Sequence, residues 1–127
     1  TETIKSISRN FDEGIQGLYL LLSDQSPQIH KTHYWREFMG VKVPIHTGAE
    51  MIAKKFDMAV VNYSVKKIKR GYFEITFETI TEHPNEYKDY EITDRYLAII
   101  ERNIIDQPAY YLWSHKRFKH RDKVPKK

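Results

Sequence analysis

The chain has no cysteine, which excludes disulfide scaffolds, thiolate zinc sites and thiol nucleophiles. Its five glycines are scattered rather than gathered ahead of a helix, so no phosphate-cradling loop is present. No Gly-x-Ser-x-Gly elbow occurs, and no serine stands out as a hydrolase nucleophile. The longest apolar run, Leu18 to Leu22, is far short of the ~20 residues that a membrane-spanning helix needs. The N-terminus carries no secretory apolar region. His30 and His33, with His46 as a remote third, are the nearest approach to a metal signature. Without a helix to align them they read as surface loop histidines, and no cofactor is implied.

What is present suits one ordinary domain spanning residues 1–127. At 127 residues a chain can bury roughly two-thirds of the surface it exposes when unfolded, and 40% hydrophobic with 13% aromatic content is globular. The formal charge of +4 conceals an asymmetry. Residues 115–127 hold seven cations and one acid, +6, which leaves −2 for the other 114 residues. The body is near neutral and the tail basic. This disfavours a surface-wide nucleic-acid footprint but leaves open a local contact with phosphate, an acidic partner or an anionic membrane.

Periodicity supplies the elements. Ile4, Ile7, Phe11 and Ile15 predict a helix over residues 1–13, ended by Gly14 and Gly17. Leu18–Leu22 predicts a short strand covered on both faces, as in a parallel sheet. Residues 23–44 have loop character, and a loop of that length is either functional or a sign of elements not recognised. Thr47 and Glu50 form a capping-box pattern before a helix with Ala49, Ile52, Ala53 and Phe56 on one face and Lys54 and Lys55 on the other. Met58–Val65 and the alternating Tyr72–Ile80 predict two antiparallel strands around a cationic turn, Lys66 to Gly71. That turn reads as solvated or as an anion site. Ile92–Ile105 has helical spacing, with Thr93 or Asp94 as cap. A last helix is predicted from Ala109 to about Lys119, and residues 122–127 read as a disordered tail.

That last segment, Tyr110 to Lys119, interleaves aromatics with cations. Such a helix can stack on rings, dip into a lipid interface or grip phosphates. Equally, Tyr111, His115 and Phe118 can face inward and dock it on a core.

The same segment, Tyr111-Leu-Trp-Ser-His-Lys-Arg-Phe-Lys119 behind a proline, resembles the C-terminal signature of the lipid A biosynthesis lauroyl/myristoyl acyltransferases. Gly17-Leu-Tyr-Leu-Leu-Leu-Ser-Asp-Gln25 is similar to that family's strand ending in Asp-Gln. Phe38-Met-Gly40, Thr47-Gly48 and Ala59-Val-Val61 follow in the family's order, so the resemblance runs from about residue 14 to 121. It implies an α/β fold with a mixed sheet and flanking helices, the C-terminal portion of a glycerolipid or lipid A acyltransferase-like fold. It also implies transfer of a fatty acyl group from acyl carrier protein, or from CoA, to a hydroxyl of a lipid A precursor, at the cytoplasmic face of the inner membrane.

In that family a His-x-x-x-x-[Asp/Glu] pair deprotonates the acceptor hydroxyl. Five residues after His30, His33, His46, His83, His115 and His120 stand Trp35, Phe38, Met51, Lys88, His120 and Pro125. None is an acid. The resemblance therefore implies the C-terminal part of a longer enzyme, inactive alone, with uncovered apolar surface and a tendency to self-associate. It assigns no catalytic residue to this chain. Asp24 and Gln25 would end a strand beside the absent pair, and His115, Arg117 and Lys119 lie on the matching terminal segment. Arg36 matches no family motif but is a candidate for acceptor phosphates. The competing expectation, from composition, is a small non-enzymatic module that binds nucleic acid or acidic or anionic lipid partners through its basic C-terminal helix.

Overall fold

A computed structural model describes residues 2–125. Among them lie three α-helices and two antiparallel hairpins, so the α/β class expected from the sequence is what is found. Helix α1 spans Glu2–Asp12, and strands β1 (Tyr34–Phe38) and β2 (Val41–Ile45) form the first hairpin. Helix α2 (Gly48–Phe56) follows, then β3 (Val60–Lys69) and β4 (Tyr72–Thr81), the second hairpin, and α3 (Glu91–Asp106).

The core forms where α3 crosses both hairpins. Phe38, Val43, Ile45, Leu97 and Ile104 are 0–3% exposed and make one cluster, joined by Tyr34, Tyr96, Tyr111 and Phe118. Ile80, Ile92 and Ile99 make a second cluster on the other flank of the helix, joined to the first through Tyr96. Each fully buried apolar side chain contributes about 1.5–3 kcal/mol. Helix α1 contributes Ile7, fully buried, and Phe11 meets Phe56 of α2 at 5.4 Å between ring centroids.

Several expectations are overturned. Leu18–Leu22 is not a strand: it pairs with nothing described, and Leu18, Leu20 and Leu22 are 100%, 70% and 69% exposed. A strand covered on both faces needs neighbours on both sides, and none of the described residues supplies them. The sheet is accordingly not one mixed sheet but two separate antiparallel pairs.

The presumed loop of residues 23–44 contains β1 and most of β2. Their sequences, Tyr-Trp-Arg-Glu-Phe and Val-Lys-Val-Pro-Ile, lack clean alternation, and Pro44 argues against an interior strand. In a two-stranded sheet every strand is an edge, where proline is tolerated. The connecting Met39 and Gly40 both have positive φ, 51° and 76°, the backbone that a tight two-residue hairpin loop requires.

The capping box does not close. Thr47 precedes α2 without a side-chain cap bond, and Glu50, 4% exposed, turns away to α3. Neither Thr93 nor Asp94 caps α3. That position is Tyr90, at φ 71° with no side-chain cap bond; the first-turn amides are met from α2 instead. The terminal helix is absent as well. Residues 108–123 fold into three short 3-10 turns, with Lys116 left-handed at φ 54°, a conformation that stops a right-handed helix. Trp113 donates its indole N–H to the Pro108 carbonyl at 2.7 Å. Tyr111 and Phe118 nonetheless face inward, as the docking alternative required. Of the expected disordered tail, residues 122–127, Asp122 and Lys123 belong to the last 3-10 turn, Arg121–Lys123, and residues 126 and 127 lie outside those described.

The β3–β4 hairpin is inverted relative to ordinary patterning. Its polar row faces α3: Asn62 is 5% exposed, Ser64 Oγ accepts from Asn103 Nδ2 at 2.7 Å, and Lys66 pairs with Asp106 at 2.7 Å. The expected turn is shorter than the cation run, because the strand continues through Lys66 and Lys67 to Lys69 and only Arg70 and Gly71 turn.

Candidate functional site

The chain from Ser23 to Pro27 has no regular structure, and its position is set by residues far away in sequence. Ser26 is the hub. Its backbone N–H donates to His115 Nε2 at 2.8 Å, and its hydroxyl donates to the Arg117 carbonyl at 2.8 Å. Arg117 Nη1 donates in turn to the Pro44 carbonyl at 3.0 Å and to Ser26 Oγ at 3.4 Å. Tyr111 donates its hydroxyl to the Asp24 carbonyl at 3.4 Å. The terminal segment, the end of β2 and the Asp24–Ser26 turn are thus clasped together, and the clasp fixes where Asp24 lies.

Asp24 lines two cavities. The larger, about 700 Å³, is predominantly apolar and runs between Leu18–Leu22, α2, β3 and α3, with Ala53, Phe56, Ile92 and Ile100 in its wall. Glu50, His46 and Asp24 are among its few ionisable residues. The smaller, about 330 Å³, lies between the polar row of the second hairpin and α3. An apolar cleft of several hundred Å³ with a few polar groups is the usual form of a small-ligand site.

Burial shapes the electrostatics around Asp24. Desolvation pushes the Tyr96 hydroxyl well above its ordinary range, with the Asp24 charge adding to the rise. Tyr111 is raised for the same two reasons, Arg117 opposing. Arg117, 2% exposed, is lowered by desolvation, while Tyr111, Asp24 and Tyr96 pull it back up. Its guanidinium lies 5.2 Å from the Phe38 ring centroid, and its Nε and Nη2 have no hydrogen-bond partner.

His46 is lowered chiefly by desolvation and by Arg117, with the Ser26 backbone raising it, His115 lowering it and Asp24 raising it. The neutral form is favoured by folding. Between the lowered value and the ordinary 6.5 the unfolded chain holds more protons on this group, so its contribution to stability rises with pH through that window and is complete above it. His46→Gln should reduce the proton uptake on unfolding just below pH 6.5, measured as the slope of unfolding free energy against pH. The remaining slope includes His120, lowered in the same sense by desolvation and by Lys123 and Lys119. An unchanged slope would show that His46 titrates alike in both states.

The structure separates the residues singled out from the sequence. Asp24, His115 and Arg117 come together through the clasp. Gln25 is half-buried and lines neither cavity. Arg36 lies elsewhere: its Nη1 donates to the Asp94 carbonyl at 2.6 Å and pairs with the Asp94 carboxylate at 3.1 Å. There it ties β1 to α3 beside Tyr34, whose hydroxyl donates to Asp94 and is raised to about 12, by desolvation first and then by that bond. Lys119 is exposed. Ser26 and Tyr96 were missed, and their separation of 72 to 91 residues from their partners carries no local signal.

An apolar cleft with Asp24 in its lining, in an α/β chain, suits an apolar ligand. The sequence matches the family model of the bacterial lipid A biosynthesis acyltransferases over residues 1–120, and the chain belongs to that family. No curated protein and no solved structure matches it. Among the described residues no helix is long and apolar enough to cross a membrane.

Proposed function

We propose that this chain is the C-terminal part of an acyltransferase that moves a fatty acyl group from acyl carrier protein, or from CoA, to a hydroxyl of a lipid A precursor. The observation that carries this reading is the family match over residues 1–120, and the apolar cavity bordered by Asp24 supports it. The cavity would receive the acyl chain, and Asp24 would face the reacting groups. A His-x-x-x-x-[Asp/Glu] pair, absent from these 127 residues, would come from an upstream part of the protein. Its His would take the proton of the acceptor hydroxyl as oxygen attacks the thioester carbonyl, and the thiolate would leave with that proton. The upstream part would also cover Leu18, Leu20 and Leu22; without it these residues promote self-association. The parent enzyme would work at the cytoplasmic face of the inner membrane.

No observation favours the nucleic-acid reading. The basic helix on which it depends does not form, and Arg117 points into the protein rather than toward a ligand.

The test is an acyl-transfer assay with acyl carrier protein and CoA donors and a lipid A precursor. This chain alone should give no product above the enzyme-free blank. The same chain extended upstream through a His-x-x-x-x-[Asp/Glu] pair should give turnover that is lost on replacing that His. Acyl transfer by the 127-residue chain alone would overturn the proposal.

A further inference from the structure

The second hairpin carries a largely exposed apolar face, of which Val61 and Tyr63 also line the larger cavity and Val65 the smaller. Alternation puts Val61, Tyr63 and Val65 of β3 beside Phe77, Ile75 and Phe73 of β4, with Tyr63 opposite Phe77 and Val65 opposite Ile75. All six are 42–73% exposed. From typical side-chain areas they present on the order of 600 Å² of contiguous apolar surface, the upper end of what a monomer's largest patch covers. The ribbon's polar row is meanwhile bound to α3 through Asn103, Asp106 and the Arg102–Glu78 pair. The ribbon cannot turn over without breaking these contacts, so the apolar exposure is fixed by the fold.

The charges on this face indicate its partner. The ribbon's acids, Glu74 and Glu78, belong to the row opposite, and Lys67 is the ionisable residue that shares the apolar row. At its tip stand Lys66, Lys67, Lys69 and Arg70. Lys66 is paired with Asp106, whereas the Lys67 ammonium lies 4.9 Å over the Tyr110 ring and that of Lys69 4.3 Å over Tyr72. Tyr110 and Trp113 are themselves 59% and 48% exposed. Aromatic rings beside cations, next to an apolar face without acids, match the boundary between phosphate headgroups and acyl chains. A second copy meeting it face to face would bring the same cations and no acid of that face to meet them.

We propose that the β3–β4 ribbon is a contact for an anionic phospholipid surface, lying flat with its six apolar side chains at the acyl boundary and its cationic turn at phosphate level. It acts as an amphipathic helix does at an interface, with the alternation of a strand replacing helical periodicity. The ribbon shares Val61 and Tyr63 with the cavity of the acyltransferase reading, but the residues substituted below, Phe73 and Phe77, line neither cavity, so failure here leaves that reading untouched.

The experiment is flotation of the full chain with vesicles of phosphatidylcholine alone or mixed with phosphatidylglycerol. Binding to the mixed vesicles should exceed binding to the neutral ones by about tenfold at low salt. Joint Phe73→Ser and Phe77→Ser should abolish it with an unchanged circular dichroism spectrum, both side chains being exposed. Joint Lys69→Glu and Arg70→Glu should remove the preference for phosphatidylglycerol. Met51→Ser, an exposed apolar change on α2, should leave binding intact. Absence of binding to the mixed vesicles, or binding indifferent to the ribbon substitutions, overturns the proposal. So does light scattering that shows a dimer dispersed by Phe73→Ser and Phe77→Ser without vesicles, which would make the face an interface between copies.

Discussion

Glu50→Ala should lower the unfolding free energy by about 3–5 kcal/mol in urea titrations followed by circular dichroism. The carboxylate is 4% exposed and serves as the N-terminal cap of a helix to which it does not belong. One oxygen accepts from Tyr90 N at 2.7 Å, the other from Thr93 N at 2.9 Å and Thr93 Oγ1 at 2.6 Å. These backbone donors belong to the start of α3, whose own cap position offers no side-chain acceptor. Truncation leaves buried amides unsatisfied and a negative charge missing where the helix dipole favours one. It also strips Lys54, 3.1 Å away, of its buried partner, leaving it only Asp89 at 2.9 Å. Glu50→Gln should cost about half as much, since one amide oxygen can still accept while the NH₂ opposes a donor. A loss under about 1 kcal/mol for Glu50→Ala would mean that water replaces the carboxylate and that the helix start is not buried as described.

This residue also shows why the sequence was readable in part. Thr47-Gly-Ala-Glu50 is a sound local signal, and the helix begins where it says. But a capping box gains only a net hydrogen bond or so, whereas α3 approaches with unmet donors that a buried carboxylate satisfies more strongly. Tertiary contact therefore overrode the local motif. The same competition decided the C-terminal segment. Residues 109–119 have helical spacing, yet Tyr111 and Phe118 reach one cluster through turns, with Lys116 in a left-handed bend that no propensity rule anticipates. Where periodicity was long and sustained, as in α1, α3 and the β3–β4 pair, boundaries fell within a few residues of expectation. Where strands were five residues long and included Pro44, there was too little pattern to see.

The site was legible through motifs rather than periodicity. Asp24, His115 and Arg117 were singled out on two separated stretches, and the fold brings those stretches together around Ser26. What the residues could not say is which partner each would meet. Arg36 and Arg117 are alike in sequence as cations near aromatics. One is partly exposed and ion-paired to Asp94, the other sealed under Phe38 with the Pro44 carbonyl and the Ser26 hydroxyl as its acceptors. Leu18–Leu22 carries the opposite lesson. Its composition predicts a strand covered on both faces, yet among the described residues it has no strand partner and Leu18, Leu20 and Leu22 stand exposed, because an apolar run alone does not say which element will lie beside it.

Arg117→Ala and Arg117→Met should separate what that buried cation does for stability from what it does for position. Arg117→Ala should cost about 3 kcal/mol or more, because it opens a cavity beneath Phe38 and removes the donor held by the Pro44 carbonyl. Arg117→Met should cost only about 1 kcal/mol. It fills most of the volume and relieves a charge whose Nε and Nη2 are buried without partners, a substitution that is often neutral or better in protein interiors. The two variants should nevertheless agree in one respect: each loses the Nη1 link among Pro44, Ser26 and the terminal segment, so the Asp24–Ser26 turn loosens. Hydrogen exchange of the Ser26 amide, which donates to His115, should accelerate in both, in Arg117→Met without a matching loss of global stability. Equal stability losses for Ala and Met would show that the charge rather than the volume holds the core. Unchanged Ser26 exchange in Arg117→Met would show that the clasp closes through His115 and the Arg117 backbone alone, leaving the guanidinium no part in placing Asp24 at the cavity wall.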